Sequence, residues 1–208
     1  MNFAIITQQL VSGMGSSLMI FVLTLLFSMP LGLLVAFGRM SKIKPLQAVI
    51  KVFIAILRGT PLMLQLLVVN FAPYYLFRIS LPRWYRFAAI IIGFSINYAA
   101  YFAEIYRSGI ESIPKGQYEA ASVLGYNKNQ TFFRIIFPQM VKRVLPPVTN
   151  EVITLVKDTS LAFVLAYEEM FTVAKQIASA RTSIMPLFVA GVFYFIFNGV
   201  VAFAMERN

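Results

Sequence analysis

The chain has 208 residues, of which 59% are hydrophobic and only 12% are charged. Soluble domains are about 45–50% apolar and about 25% charged, so a core of this size cannot hide its apolar surface from water, and lipid is the expected solvent. The net charge of +10 does not indicate nucleic-acid binding, because a mean hydropathy of +0.76 leaves no soluble basic face for phosphates. Without cysteine or histidine and with eight acidic residues, a disulfide, a metal site or a His-based catalytic centre has almost nothing to be built from.

Charge-free runs long enough to cross a bilayer recur along the chain. A crossing of about 30 Å takes about 20 apolar residues in a helix. The first run lacks the basic start and the cleavage pattern of a signal peptide, so we interpret it as a retained span. These patterns predict an all-α integral membrane bundle. The runs are Met1–Gly38, Gly59–Phe77, Phe87–Phe102 and Thr182–Met205.

We expect one transmembrane domain, residues 1–208, with about five spans. The second span is too long for one straight crossing and is interrupted at "RGTP", and Pro114 ends the third. The segment Leu161–Ser183 is mixed in polarity and is expected to be partly embedded in the membrane. The predicted spans are Leu10–Phe37, Leu46–Phe77, Phe87–Ile113, Met140–Val156 and Ile184–Met205.

Basic residues predict the orientation in the cytoplasmic membrane. Five spans put the termini on opposite sides, and the side richer in Lys and Arg is cytoplasmic. We therefore expect the N-terminus outside and the C-terminus inside. Two basic residues, Arg58 and Lys157, fall within spans. The outer group is Arg78, Arg83, Arg86, Lys175 and Arg181. The cytoplasmic group is Arg39, Lys42, Lys44, Lys51, Arg107, Lys115, Lys128, Arg134, Lys142, Arg143 and Arg207.

The cytoplasmic stretch "KGQYEAASVLGYNKNQTFFRIIFP", about residues 115–138, has the pattern of two short helices. Gln117–Leu124 is rich in helix formers, and Gly125 suits the left-handed position that closes a helix. Asn127 or Asn129 is placed to cap a second helix, which Pro138 is expected to end. An ordinary connecting loop lying on the headgroups is the alternative.

The residues of this stretch resemble the EAA loop of permease subunits in ATP-binding-cassette (ABC) importers. The matching positions are Glu119, Ala120, Ala121, Gly125, Ile135, Phe137 and Pro138, with Phe137 where leucine is usual. The stretches "RGTPLMLQL", "AEIYRSGIESIPKGQ" and "KDTSL" resemble the branch that imports polar amino acids. The resemblance extends over nearly the whole chain.

This resemblance implies that the EAA helix is a cytoplasmic coupling helix seated on a nucleotide-binding subunit. Glu119, Ala120, Ala121 and Gly125 would form the coupling surface: the two alanines give a smooth face and Glu119 an anionic edge. The implied partners are two ATP-binding subunits, a second permease subunit that is identical or related, and an extracytoplasmic substrate-binding protein. ATP and magnesium would be bound by the partner, because this chain has no phosphate-binding loop of the G-x-x-x-x-G-K-[ST] type.

Polar residues within the spans are candidates for the substrate site, because charges in a bilayer are costly. In "TLVKDTSL", Thr154, Lys157 and Asp158 fall at i, i+3 and i+4. Lys157 is placed to face the carboxylate of a zwitterionic amino acid and Asp158 its ammonium, with Thr154 and Ser160 assisting. Thr159 and Ser160 also supply donors for a broken helix. The alternative is an internal Lys157–Asp158 ion pair that fixes packing.

The break at "RGTP" is the second candidate. Pro61 has no N–H and frees a carbonyl one turn back, and such breaks are tolerated where they line a wet cavity or are buried in protein. Met63 and Leu64 would form an apolar wall beyond the break, and Asn97 on the third span is a weaker candidate. A kink that serves helix packing is the alternative.

These features favour the permease subunit of an ATP-driven importer of a polar amino acid, working by alternating access. Such a subunit is not itself an enzyme and has no catalytic residues. The alternative is an ion-coupled carrier or channel that uses the Lys157–Asp158 pair. A coupling helix has no task in such a carrier. A scaffold subunit would leave the charges within the spans without a task.

Overall fold

The computed structural model describes residues 3–206, which are helical over most of their length and contain no strand. The predicted all-α fold is confirmed. Arg207, placed in the cytoplasmic group above, lies outside the described residues. The elements are α1 (Phe3–Arg39), α2 (Lys44–Gly59), α3 (Leu62–Phe77), α4 (Tyr85–Glu111), α5 (Lys115–Val123), α6 (Lys128–Thr131), a π-helical turn (Phe132–Ile136), α7 (Phe137–Asp158), a 3-10 helix (Thr159–Leu165), α8 (Met170–Arg181) and α9 (Met185–Glu206).

Three described helices, α1, α4 and α9, are long and apolar enough to cross a membrane. The helices α2 and α3 make a fourth candidate as one broken span, bent by 110°. The bend lies at the predicted interruption. Helix α7 has 22 residues, enough for a crossing of about 30 Å, but its ionisable residues keep it from qualifying by composition. The prediction of about five spans therefore depends on counting α7, which carries Lys142, Arg143, Glu151, Lys157 and Asp158.

Helix α4 is the centre of the bundle. Of its most apolar stretch 67% is buried inside the protein, against 6% for α9, which leaves α9 to face lipid or another chain. Four aromatic residues recur along one side of α4 at a spacing of four, with neighbouring ring centroids 6.2 to 6.5 Å apart. They belong to one hydrophobic cluster with residues of α1, α3 and α7. They are Phe94, Tyr98, Phe102 and Tyr106.

Helix α1 crosses α4 closely at Gly32. A Cβ atom at this position would lie 2.8 Å from Cβ of Phe102 and 3.1 Å from the carbonyl oxygen of Ala99. No side chain fits there without a shift of the backbone. The glycine at position 32 therefore allows α1 to pack closely against α4.

The segment 115–138, predicted to be cytoplasmic, forms two short helices with the predicted caps. Gly125 has a φ of +77° and closes α5, with Gly125 N–H donating to Ser122 O at 3.0 Å and Tyr126 N–H donating to Ala121 O at 3.0 Å. Of the two predicted caps for α6, Asn127 is the one used: its side chain accepts from Gln130 N–H at 2.9 Å, and Gln130 Oε1 accepts from Asn127 N–H at 2.9 Å. This reciprocal pair is a capping box.

The prediction that Pro138 ends the second helix is wrong. The chain continues from α6 through the π-helical turn into α7, and Pro138 lies in the first turn of α7. A proline is tolerated there because its missing N–H need not bond within the first turn. The π-type bond from Phe137 N–H to Phe132 O carries the chain past it.

A buried carboxylate, Glu169, joins three helices. Glu169 is 0% exposed and caps α8 by accepting from Phe171 N–H at 2.8 Å and Thr172 N–H at 2.6 Å. Tyr194 of α9 donates to it at 3.0 Å, and Ser17 of α1 at 3.4 Å. This group fixes the start of α8 to α1 and α9, which the sequence analysis did not anticipate.

Candidate functional site

Asp158, the last residue of α7, is oriented by a tyrosine of the central helix. The hydroxyl of Tyr98 donates to Asp158 Oδ2 at 2.7 Å. Tyr98 is only 2% exposed, whereas Asp158 is half-buried. One carboxylate oxygen is thus engaged by the core, while the residue keeps an accessible edge.

Lys157 does not share this environment. It is exposed, and among residues 3–206 no ion pair joins it to Asp158. The alternative of an internal Lys157–Asp158 ion pair is therefore wrong. Neighbouring residues on a helix point about 100° apart, so these two charges lie within electrostatic reach of each other but make no direct contact.

The end of α7 is stabilised by hydroxyl groups. Thr159 Oγ1 donates to Val156 O at 2.8 Å, and Ser160 Oγ donates to Lys157 O at 2.8 Å. These are the donors that the sequence predicted for a broken helix, here at the change from α7 to the 3-10 helix. The hydroxyl proton of Ser160 is thus used within the protein, and the hydroxyl oxygen can still accept.

The break between α2 and α3, which we call the elbow (residues 57–65), also packs against α4. Asn97 Nδ2 donates to Leu57 O at 3.1 Å and to Gln65 Oε1 at 3.0 Å. Asn97 is 4% exposed, and its amide donates to groups of the elbow. It is therefore buried beneath the elbow and is not placed to contact a substrate directly. The predicted wall residues differ in access: Pro61 and Leu64 are exposed and Met63 is half-buried.

A polar cleft of about 450 Å³ lies between the elbow, α4 and α7. The guanidinium of Arg58 lies 5.1 Å from the ring centroid of Tyr101. Glu151 lies within electrostatic reach of both Arg58 and Asp158. Glu151, Thr154 and Asp158 fall at i, i+3 and i+7 on one face of α7, so helical spacing could have identified Glu151 from the sequence. Tyr98 and Gln65 have no such local signal.

One end of the cleft is lined by ion pairs. Arg107 binds Glu104 at 2.7 Å and also pairs with Glu111, and Arg39 of α1 lies 3.8 Å from Glu104. Arg143 of α7 donates to the carbonyl of Ser112. These contacts tie α1, α4 and α7 together beside the segment that leads to α5.

The predicted coupling residues lie on α5 and its cap, with one correction. Glu119 and Ala120 are exposed, but Ala121 is 1% exposed and lies against its own chain. The expectation of a smooth surface made by both alanines is therefore wrong: Ala121 seats α5 on its own protein, and Ala120 alone faces outward. Two apolar side chains at the end of α5 were missed, Val123 (88% exposed) and Leu124 (72% exposed).

A helical membrane bundle with a polar cleft and an exposed pair of short helices has the architecture of the membrane subunit of an ABC transporter. Residues 28–208 match the family described as "Binding-protein-dependent transport system inner membrane component". The chain belongs to this family. It is a multi-pass permease subunit and not itself an enzyme, since the ATPase of these transporters is a separate subunit.

Individual relatives agree with this assignment. The chain is 40% identical over 158 residues to the L-cystine transport system permease protein TcyB of Bacillus subtilis (strain 168), a match covering 76% of this chain and 66% of that protein. It is 31% identical over 203 residues to the arginine transport system permease protein ArtQ of the same organism, covering 96% and 91%.

Solved structures share the fold. The crystal structure of an amino acid ABC transporter with histidines matches with a TM-score of 0.87 and 30% identity, covering 97% of this chain and 92% of that one. An inward-facing MetNI methionine ABC transporter matches at 16% identity with a TM-score of 0.72. This second likeness concerns the fold alone. No comparison supports the ion-coupled carrier.

Proposed function

We propose that this permease subunit forms part of the pathway by which an ATP-driven importer takes a polar amino acid into the cell. The relatives that support this substrate class are named for cystine and arginine transport, and the solved neighbour is an amino acid ABC transporter. The ammonium and the carboxylate groups are common to all amino acids, so a site that binds both groups fits the class as a whole.

The observation that carries the proposal is that charges of both signs meet in and beside one cleft between the elbow, α4 and α7. Arg58 and Glu151 line the cleft, and Asp158 lies two turns beyond Glu151 on α7. Charged side chains in a bilayer face a bundle interior or a water-filled cavity. A single bundle leaves this face open, so a second permease subunit, identical or related, is needed to cover it.

The charges suggest a division of roles. The carboxylate of Asp158, oriented by Tyr98, would receive the substrate ammonium, with Glu151 adding negative potential. Of the arginines that line the cleft, Arg58 would face the substrate carboxylate, since Arg107 pairs with Glu104 and Arg143 donates to Ser112 O. Lys157 is exposed, so its predicted role in binding would require the partner subunit to enclose it. Pro61, Met63 and Leu64 would supply the apolar wall, and Thr154 and Ser160 would assist as acceptors.

The short helix α5 would be the contact with an ATP-binding subunit. Glu119 and Ala120 are exposed there beside the apolar tip at Val123 and Leu124. In this arrangement the segment 115–138 and the C-terminus are cytoplasmic, the N-terminus is outside, two partner ATPases bind ATP and magnesium, and an extracytoplasmic protein delivers substrate.

Reconstitution tests the proposal. Vesicles containing the full complex, purified with every chain that accompanies this permease in its native membrane, are supplied with ATP on the ATPase side and with radiolabelled amino acids on the other. We expect uptake of at least one polar amino acid that requires ATP hydrolysis and survives ionophores. Uptake that continues without ATP and collapses with the ion gradient would overturn the proposal in favour of the ion-coupled carrier.

A further inference from the structure

The elbow contains a carbonyl group that has lost its usual partner. In a continuous helix, Leu57 O would accept from the N–H of residue 61, but Pro61 has no N–H. A backbone carbonyl without a partner is strongly disfavoured where lipid replaces water. A broken span of 110° therefore needs a donor from elsewhere.

Gln65 supplies that donor. Its Nε2 donates to Leu57 O at 2.8 Å and also lies 3.1 Å from Thr60 O and 2.8 Å from Thr60 Oγ1. The hydroxyl of Thr60 in turn donates to Ile56 O at 2.8 Å. The first turn of α3 is thus bound back onto the last turn of α2, across the break.

Asn97 of the central helix completes the arrangement from the other side. Its Nδ2 donates to Leu57 O at 3.1 Å and to Gln65 Oε1 at 3.0 Å. The same carbonyl therefore has two side-chain donors, and the two amides also bind each other. The most apolar stretch of α4 is 67% buried, so this contact joins the elbow to the centre of the bundle.

We propose that Gln65 is a positioning residue that, together with Asn97, replaces the backbone donor missing at Pro61 and fixes the angle of the elbow. This angle sets where Arg58 and the wall at Met63 and Leu64 stand relative to Asp158. The consequence for substrate affinity rests on the proposed function; the geometric claim does not.

The chemistry is specific to an amide of this length. A glutamate at position 65 has the same shape but offers no donor to Leu57 O, and it brings a charge against the carbonyls of Leu57 and Thr60. A leucine fills the space without any hydrogen bond. At position 97, aspartate likewise keeps the shape and removes both donations.

The chain has no cysteine, so spin labels on two introduced cysteines report the elbow angle directly. Val49 on α2 and Leu76 on α3 are exposed and lie on opposite arms of the elbow. Labelled chains, diluted with unlabelled ones in the complete complex in vesicles, should give one narrow distance distribution. We expect Gln65→Leu to broaden it and shift its maximum, and Asn97→Asp to do so less. An unchanged distribution in both variants would overturn the proposal.

A matched control is Gln47→Leu. Gln47 Nε2 donates to the carbonyl of Arg39 at 3.3 Å, at the connection between α1 and α2. The control therefore removes a glutamine-to-carbonyl bond from the same arm without touching the elbow. Its distance distribution should equal that of the unsubstituted chain, and broadening as large as that of Gln65→Leu would overturn the specific role of Gln65.

A second variant tests the missing donor itself. The N–H that Pro61→Ala adds reaches Leu57 O only if Thr60 leaves its extended backbone (φ −122°, ψ 148°), so Pro61→Ala combined with Gln65→Leu should let the elbow straighten and lengthen the distance between the two labels beyond that of Gln65→Leu alone. If the double variant has the same distribution as Gln65→Leu alone, the role of the missing donor is contradicted. If Gln65→Leu does not accumulate, Gln65→Glu gives the same comparison.

Transport kinetics give the functional reading. Loss of one or two hydrogen bonds that hold the wall should raise the apparent KM of uptake by roughly tenfold, with a smaller change in maximal rate. If Gln65→Leu raises the apparent KM and lowers the maximal rate by equal factors while the distance distribution stays unchanged, the proposal is overturned. If the wild-type complex transports no amino acid, the proposed function is contradicted, but the distance measurement still tests the role of Gln65 at the elbow.

Discussion

Tyr98 and Asp158 are 60 positions apart in the sequence, yet a 2.7 Å hydrogen bond from the phenol to the carboxylate joins the central helix α4 to the end of α7. The bond engages one carboxylate oxygen from inside the core. The other oxygen of the Asp158 carboxylate has no such bond to Tyr98 and can accept from a ligand. The orientation of Asp158 is thus set by a residue that need not touch the substrate.

Replacing Tyr98 with phenylalanine should weaken substrate binding while the fold is kept. The ring remains packed, but the carboxylate loses a donor, and a hydrogen bond to a charged group contributes about 1.5–3 kcal/mol. We expect the apparent KM of uptake to rise by roughly tenfold or more. The control is Tyr101→Phe, since Arg58 contacts the Tyr101 ring rather than its hydroxyl. Equal KM values for both variants would contradict this role of Tyr98.

Asp158→Asn and Lys157→Gln should act independently. Because the two residues interact only at longer range and form no ion pair, removing one charge breaks no direct contact with the other. Asp158→Asn alone should lower kcat/KM by roughly tenfold to a hundredfold, through the loss of an ionic contact with the substrate ammonium. In the double variant the two effects should add, as measured by initial uptake rates. Rescue of Asp158→Asn by Lys157→Gln would show that the charges are coupled.

The helices, including the two short ones of segment 115–138, could be predicted because their signals are local. Charge-free runs, Gly125 as a helix terminator and Asn127 as a cap all act within a few residues, and the break at Pro61 follows from its missing N–H. The structure differs from the predicted helix boundaries mainly at Pro138, where a π-helical turn continues the helix into α7. That turn depends on packing beneath the segment.

The candidate site was less accessible to prediction because its contacts are distant. Lys157 and Asp158 were taken together as neighbours, but the partner of Asp158 lies on α4. Glu169 has no helical spacing that marks it: its five donors come from three elements. Only the arrangement of the helices reveals such groups.

Gly125→Ala should weaken coupling to the ATPase without preventing membrane insertion. Gly125 has a φ of +77° and open space around it, so the cost is backbone strain of about 1–2 kcal/mol rather than a clash. We expect reduced co-purification with the ATP-binding subunit and lower substrate-stimulated ATP hydrolysis.

The matched control is Gly116→Ala on the same helix. Gly116 also has open space around it, and its φ is not positive, so alanine should be tolerated and should favour the helix. Equal losses of ATPase association for both variants would show that the conformation at Gly125 is not what α5 requires.

Glu169→Gln should destabilise the bundle more than the same substitution at the neighbouring Glu168. The amide of glutamine brings its own hydrogens toward the N–H groups of Phe171 and Thr172, and a buried group left without a partner costs about 1–3 kcal/mol. For a chain of this size this lowers the midpoint of thermal unfolding by roughly 2–10 °C.

Glu168 is exposed, so Glu168→Gln is the control and should leave the midpoint nearly unchanged. The measurement is thermal unfolding of the purified complex in lipid nanodiscs, with Tyr194→Phe as an intermediate case because it removes a single donor. Equal midpoints for the two glutamine variants would show that the anchor of α8 does not depend on this carboxylate.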